Sequence, residues 1–141
     1  YRDTIMPGRS HTQQALPITF GYKVAVWASE HRRNIERMEQ CLARCFVGEL
    51  SGAVGTMAGF GPKGFEVSGR TIERVGLMAP DVAWHTSRDR IAEISTTLTI
   101  IAYTYGKIGN ELASLQMTEI SEVAEGFVKG SVGSSTVNNP I

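Results

Sequence analysis

Apolar side chains at Val24, Trp27, Ile35, Met38, Leu42 and Cys45, with His31 among them, recur at steps of three and four, the spacing of one helix face. The opposite face carries Glu30, Arg32, Arg33, Glu36, Arg37 and Glu39. This pattern predicts an amphipathic helix beginning after Pro17, in which Arg32 and Glu36 form an i,i+4 pair worth a few tenths of a kcal/mol. Acids alternate with the arginines, so the charged face reads as solvated or subunit-facing surface, not as a basic binding patch. A second stripe is more regular: Ile91, Ile94, Leu98, Ile101, Tyr105, Ile108, Leu112 and Leu115. It predicts a bundle helix from about Arg88 to Gln116 with a coiled-coil-like seam, roughly 40 Å long at 1.5 Å rise per residue. Such a length suits a larger assembly better than a compact domain of this size. Gly106 and Gly109 are costly inside a helix and predict a close backbone approach there. A third helical pattern, Ile120, Val123, Ala124 and Phe127, runs into Gly130. Between the long helices, residues 47–86 hold eight of the fifteen glycines with Pro62 and Pro80, and read as loops around a short helix near Glu66–Val75. The pattern as a whole is that of an all-α, long-helix bundle without internal repeats.

Composition narrows the function classes. In 141 residues, 14 Lys plus Arg balance 14 Asp plus Glu, so no long-range field points to nucleic acid or an anionic membrane. Apolar runs break before the ~18 residues of a membrane span, and the first residues lack the apolar core of a secretion signal. The expectation is a soluble, cytoplasmic protein. Cys41 and Cys45 sit one helical turn apart, in poor geometry for a disulfide, and read as reduced residues in or near the core. No further ligands stand near them at metal-binding spacing.

Two polar clusters carry the candidate chemistry. The first is Pro7-Gly8-Arg9-Ser10-His11-Thr12-Gln13-Gln14-Ala15-Leu16-Pro17, just before the first long helix. The second is Gly133-Ser134-Ser135-Thr136, followed by Val137-Asn138-Asn139-Pro140-Ile141. A glycine- and serine-rich run is ordinary linker chemistry, but it can also crowd backbone N–H groups and a serine oxygen around an anion. Removing a proton beside a carboxylate while expelling a nitrogen or oxygen group needs a base, an acid and dipoles for the developing negative charge. An imidazole, with an ordinary pKa of about 6.5, changes protonation state cheaply, so His11 can supply the acid. A serine lodged among backbone N–H groups can serve as the base, and Ser134 is the candidate.

These residues carry a family resemblance. Gly8-Arg9-Ser10-His11-x-Gln13-x-Ala15-x-Pro17 resembles the Gly-Arg-Thr-His-x-Gln-x-Ala-x-Pro stretch of the fumarase/aspartase superfamily. Gly133-Ser134-Ser135-Thr136 with Asn139-Pro140 is similar to its signature Gly-Ser-Ser-x-Met-Pro-x-Lys-x-Asn-Pro. Leu50-Ser51-Gly52-Ala53-Val54-Gly55-Thr56 and Trp84-His85-Thr86-Ser87-Arg88-Asp89-Arg90 recur in the same order in its adenylosuccinate lyase and 3-carboxy-cis,cis-muconate cycloisomerase branch. The resemblance covers nearly the whole chain. It implies that residues 1–141 are a central helical domain fragment ending in the signature loop. It also implies a homotetramer whose bundled helices share active sites built from three subunits, a small dicarboxylate substrate, and no metal or organic cofactor. The sequence reads as a segment of a longer chain, with residues expected between Thr136 and Val137 where the family has Met-Pro-x-Lys, and with one Asn more than the motif before Pro140.

By the same resemblance, Ser134 takes the Cβ proton, with Ser135 as the fallback base, and His11 protonates the departing group as fumarate leaves. Ser10 and Gln13 fall where the family holds substrate carboxylate, and Thr136 and Asn139 join from the loop side. Ser87 stands where both branches usually place a substrate-contacting Gln. Arg88 reads either as the partner of Asp89 in an ion pair at the helix start or as a substrate contact. His31 and His85 read as structural, and Ser51 and Thr56 as turn-forming. His11 favours the adenylosuccinate lyase side, whereas Trp84-His85-Thr86 and Ala58-Gly59-Phe60-Gly61 lean toward the cycloisomerase side. The expected reaction is the anti elimination of fumarate from a succinyl compound, adenylosuccinate first. The alternatives are a cycloisomerase-like enzyme and a non-catalytic helical scaffold of the same superfamily.

Overall fold

The computed structural model describes residues 1–126, so Ser134, Ser135, Thr136 and Asn139 lie outside the described residues. An antiparallel ribbon of β1 (Ile5–Ser10) and β2 (Gln13–Thr19) opens the chain and leads directly into the long helix α1 (Phe20–Cys45). A short 3₁₀ stretch at Ala58–Lys63 enters α2 (Gly64–Arg74), and a second long helix, α3, spans Asp89–Leu115. The three helices lie where the sequence periodicity predicts them. The ribbon corrects the all-α expectation: among the described residues the chain is mostly helical with one β-hairpin. Pro7 and Pro17, which face each other across the ribbon, keep this stretch out of helix interiors. Its period-two signal is hidden because Met6 is the one core residue it supplies.

Two compact units are present, one formed by Tyr1–His31 with the chain from Ala102 onward, the other by Arg32–Ile101. In the first, the start of α1 and the end of α3 pair antiparallel through polar contacts. Lys23 pairs with Glu111, and Glu30 pairs with Lys107 and accepts from Thr104 Oγ1 at 3.2 Å. His31 stands edge-on to Tyr105, ring centroids 5.7 Å apart. The ribbon is rooted by hydrogen bonds from Phe20 N to Thr4 O (2.8 Å) and from Gly21 N to Arg2 O (3.0 Å).

After Leu115 the third predicted helix does not form over its described part. Ser121 adopts a left-handed φ of 48°, and the N–H of Glu122 turns back to the carbonyl of Leu115 at 3.0 Å. That bond satisfies one of the free carbonyls at the end of α3 and commits the chain to leave the helix axis. Phe127 lies outside the described residues.

In the second unit, Cys41, Met57 and Ile72 are the buried apolar residues, and Asn34 is buried as well. One face of α2, Gly64, Ser68 and Ile72, turns inward at helical spacing, and Ser68 Oγ donates to Leu50 O at 2.6 Å. A Cβ on Gly48 would lie 2.6 Å from the Ile72 side chain, so only glycine fits there. Gly48 N donates to Met78 O and Met78 N to Phe46 O, both at 2.9 Å, which fastens the glycine-rich connections. The two cysteines are free, their sulfurs 3.5 Å apart, and burial pushes the Cys45 thiol up to about 11. Arg32 and Glu36 stand 3.7 Å apart on the exposed face.

The second stripe splits in two. Thr97, Thr104 and Leu115 are buried and Ile94, Ile101 and Ile108 half-buried, whereas Ile91, Leu98 and Tyr105 are about half exposed. The inward line therefore alternates apolar and threonine residues. A Cβ on Gly106 or Gly109 would meet nothing within 4 Å, so neither marks a close approach among the described residues. Among the described residues no helix is long and apolar enough to cross a membrane.

Candidate active site

The ribbon turns at His11–Thr12, between the paired residues Ser10 and Gln13. Both turn residues are left-handed, with φ of 49° and 61°. A two-residue hairpin with two positive φ values has the geometry of a type I′ turn, which normally selects Asn-Gly. Placing an imidazole and a β-branched side chain there costs stability, and such strain concentrates at functional sites. Thr12 Oγ1 donates to His11 O at 2.6 Å, a local compensation. The turn thus presents Ser10, His11 and Gln13 together at one exposed tip.

The rest of the ribbon departs from regular pairing. β2 carries one residue more than β1 between the Pro7–Pro17 and Arg9–Gln14 pairs, a bulge opposite Gly8. A Cβ at Gly8 would lie 2.7 Å from Leu16 O, which explains glycine in the Gly-Arg-Ser-His stretch. Arg9 reaches across to Glu122 with two hydrogen bonds, 3.0 and 2.5 Å, a bidentate pair. The hydrogen bonds from Arg9 hold the Glu122 carboxyl below its ordinary value, against the opposing effect of burial.

Ser87 and Arg88 belong to the other unit, in the turn preceding α3. Arg88 does not pair with Asp89. Its guanidinium donates to the carbonyls of His85 (2.8 Å) and Ser87 (2.7 Å) and so closes the turn on itself. Ser87 N donates to Trp84 O at 3.0 Å, and the Ser87 side chain is exposed. The turn is fixed from behind by Glu49, whose carboxylate accepts from Ser51 Oγ and Trp84 N and stands 3.9 Å from His85 Nε2. Trp84 Nε1 donates to Gly48 O at 2.9 Å, and the Arg90 guanidinium lies 5.4 Å from the Trp84 ring centre. Ser51 and Thr56 shape a turn as expected: Met57 N donates to Ser51 O at 2.9 Å, and Ala58 N to Thr56 Oγ1 at 3.4 Å.

Burial pushes the Glu49 carboxyl up, but the hydrogen bonds from Ser51 and Trp84 and the nearby His85 and Arg90 outweigh it, leaving its pKa lowered. A carboxyl lowered in the folded state contributes stability that is full above its unfolded value of about 4.3 and lost as pH falls through the folded value. Urea unfolding of the complete protein at pH 6 and pH 3 is therefore expected to show a larger acid loss of stability in the parent than in Glu49→Gln. Equal losses would remove Glu49 from the acid transition.

Glu49, Glu122 and the strained Thr12 are not marked by any motif in the sequence. Glu49 and Glu122 have partners far along the chain, Trp84 at 35 positions and Arg9 at 113, and a single sequence carries no signal for such pairs.

The tip, with a strained histidine flanked by a serine and a glutamine, matches the residue set of the Gly-Arg-Thr-His stretch. A family described as Lyase matches residues 1–140. The chain belongs to this lyase family, within the fumarase/aspartase superfamily. The chain is 49% identical over 137 residues to the N-acetyl-S-(2-succino)cysteine lyase of Enterococcus italicus, covering 97% of this chain and 30% of that protein. It is 43% identical over 143 residues to the adenylosuccinate lyase of Pyrococcus abyssi, covering 99% of this chain and 32% of that protein. The crystal structure of β-carboxy-cis,cis-muconate cycloisomerase from Acinetobacter calcoaceticus superposes with a TM-score of 0.79 at 40% identity, covering 86% of this chain and 28% of that one. The chain spans about a third of the length of the curated relatives it matches.

Proposed function

We propose that the protein containing this chain eliminates fumarate from a small succinyl dicarboxylate, with His11 as the acid and Ser134 as the base. The observation that carries the reading is the His11–Thr12 turn, where a strained backbone places His11 in the chain between the paired residues Ser10 and Gln13. A hydroxyl and a carboxamide beside the acid can hold a substrate carboxylate while the proton is delivered to the leaving atom. The base acts on Cβ as the bond from the neighbouring carbon to the leaving group breaks, and the electron pair forms the fumarate double bond. Ser134 takes that proton, Ser135 stands next to it, and Thr136 and Asn139 complete the carboxylate grip. Ser87 and Arg88 are carried as substrate-contacting residues on the family resemblance alone.

The tip is exposed, whereas proton transfer of this kind works best shielded from water. The remaining walls must come from other residues, as they would in a homotetramer with shared sites.

Two leaving groups compete. Adenylosuccinate, expelling an amine, is the reading from the motifs. A succinyl thioether is the second reading, favoured by the 49% identity to the Enterococcus italicus relative against 43% to that of Pyrococcus abyssi. An amine must be protonated to depart, whereas a thiol with an ordinary pKa of about 8.5 leaves readily as thiolate. Turnover of adenylosuccinate, N-acetyl-S-(2-succino)cysteine and 3-carboxy-cis,cis-muconate by the complete protein separates these readings. AMP formation assigns the amine, free thiol assigns the thioether, and lactone formation alone assigns the cycloisomerase-like alternative.

A further inference from the structure

We propose that the Arg9–Glu122 ion pair is a positioning device that holds the His11 tip in place for proton transfer. The inference rests on the elimination reading and adds two residues to it. A two-stranded ribbon is marginal by itself, and this one is weaker than most. Pro7 and Pro17 face each other, so neither offers an N–H to the ladder, and the bulge follows immediately. The root of the ribbon is fixed by Met6, 7% exposed, and by the hydrogen bonds of Thr4 and Arg2 to the start of α1. Beyond the bulge, Ser10, His11, Thr12, Gln13 and Gln14 are all exposed. Between root and tip stands one strong anchor, Arg9, which pairs with Gln14 across the ribbon and lies two residues from His11.

The other end of the anchor is itself immobilised. Glu122 follows the left-handed Ser121, and its N–H donates to the carbonyl of Leu115, a residue 2% exposed at the end of α3. The two side chains are 20% and 17% exposed, so the pair is largely shielded from water and competes little with it. Lys23 and Glu111 form a second pair close enough to act on the first: Glu111 favours the charged Arg9, and Lys23 favours the charged Glu122. Four charges, two of each sign, thus join β1, α1, α3 and the segment after α3. Removing one member leaves another partly buried and uncompensated. The bidentate fork also fixes direction, which a lysine at position 9 could not do.

The function of the anchor follows from the tolerance of proton transfer. A misplacement of about 1 Å at a reacting group can cost about 10²-fold in rate. A ribbon held only at its root would let His11 move that far.

The test uses the purified complete protein, with fumarate release and amide hydrogen exchange at Ser10–Gln13 as paired readouts. Glu122→Gln is expected to lower kcat by about 10–10²-fold, with a smaller change in KM, and to speed exchange at the tip. Arg9→Lys is expected to fall between the parent and Glu122→Gln, and Arg9→Glu combined with Glu122→Arg to regain most of the lost kcat. Unchanged kcat per folded molecule in Glu122→Gln overturns the proposal, whether or not exchange accelerates. A fall in activity that only tracks the folded fraction, or an Arg9→Lys variant no better than Glu122→Gln, overturns it as well. If the parent releases no fumarate, the elimination reading fails instead, and the exchange data still decide whether the pair holds the tip.

Discussion

Replacing His11 by Asn in the complete protein is expected to lower fumarate release by about 10²–10⁴-fold, the usual worth of a positioned general acid. Asn is the informative substitution because it tolerates the left-handed backbone better than most residues. The φ of 49° at position 11 can then be kept while the proton donor is lost. A variant with parent-like thermal stability and collapsed kcat separates acid catalysis from turn formation. The limb of the pH–rate profile that reports the acid is expected to disappear with it. The loss should be smaller on a thioether substrate than on adenylosuccinate, because a thiolate departs without prior protonation. Parent-like kcat on every substrate would show that His11 is a turn residue and nothing more.

Ser134→Ala is expected to have an effect of the same order, about 10²–10⁴-fold on kcat, for a different reason. Alanine cannot accept the Cβ proton, yet it leaves the small-residue character of Gly133-Ser134-Ser135-Thr136 intact. On the proposed reading, in which Ser10 and Gln13 hold carboxylate from the ribbon side, substrate affinity should change little. Steady-state kinetics of Ser134→Ala beside Ser135→Ala distinguish the two serines. Near-normal turnover in the first with collapse in the second would transfer the role of base to Ser135, and near-normal turnover in both would end the serine-base mechanism.

The helices were legible in the sequence because their signal is periodic and local. The predicted Arg88–Gln116 helix and the observed Asp89–Leu115 differ by one residue at each end, and the predicted Glu66–Val75 helix is found at Gly64–Arg74. The hairpin was not legible in the same way. Its turn uses His-Thr where propensity favours Asn-Gly, and its ladder is interrupted by two prolines and a bulge, so neither turn chemistry nor alternation announces it. Of the residues that break those local rules, His11 is the one to which the motif resemblance assigns a role, and a local rule is most often broken where folding and function compete. The stripe on α3 was read correctly as helical, but its partners were not. Ile94, Ile101 and Ile108 turn inward with Thr97 and Thr104, and periodicity cannot tell which half of a broad apolar face meets which neighbour. Over the described part of the helix expected at Ile120–Phe127 the chain instead turns at a left-handed Ser121, a backbone choice that the side-chain pattern does not encode. Ser10, His11 and Gln13 were proposed from the motif alone, and the structure places them at one hairpin turn. Arg88 was assigned the wrong partner, and Glu49 and Glu122 stayed hidden because their contacts are made across sequence distance.

The most direct measurement is the appearance of fumarate when the complete protein is given an equimolar mixture of adenylosuccinate and N-acetyl-S-(2-succino)cysteine. Fumarate in stoichiometric balance with AMP or with free thiol, and far slower in His11→Asn, is the predicted result. No fumarate from either compound, with a folded protein, would contradict the assignment of this chain to a fumarate-eliminating enzyme.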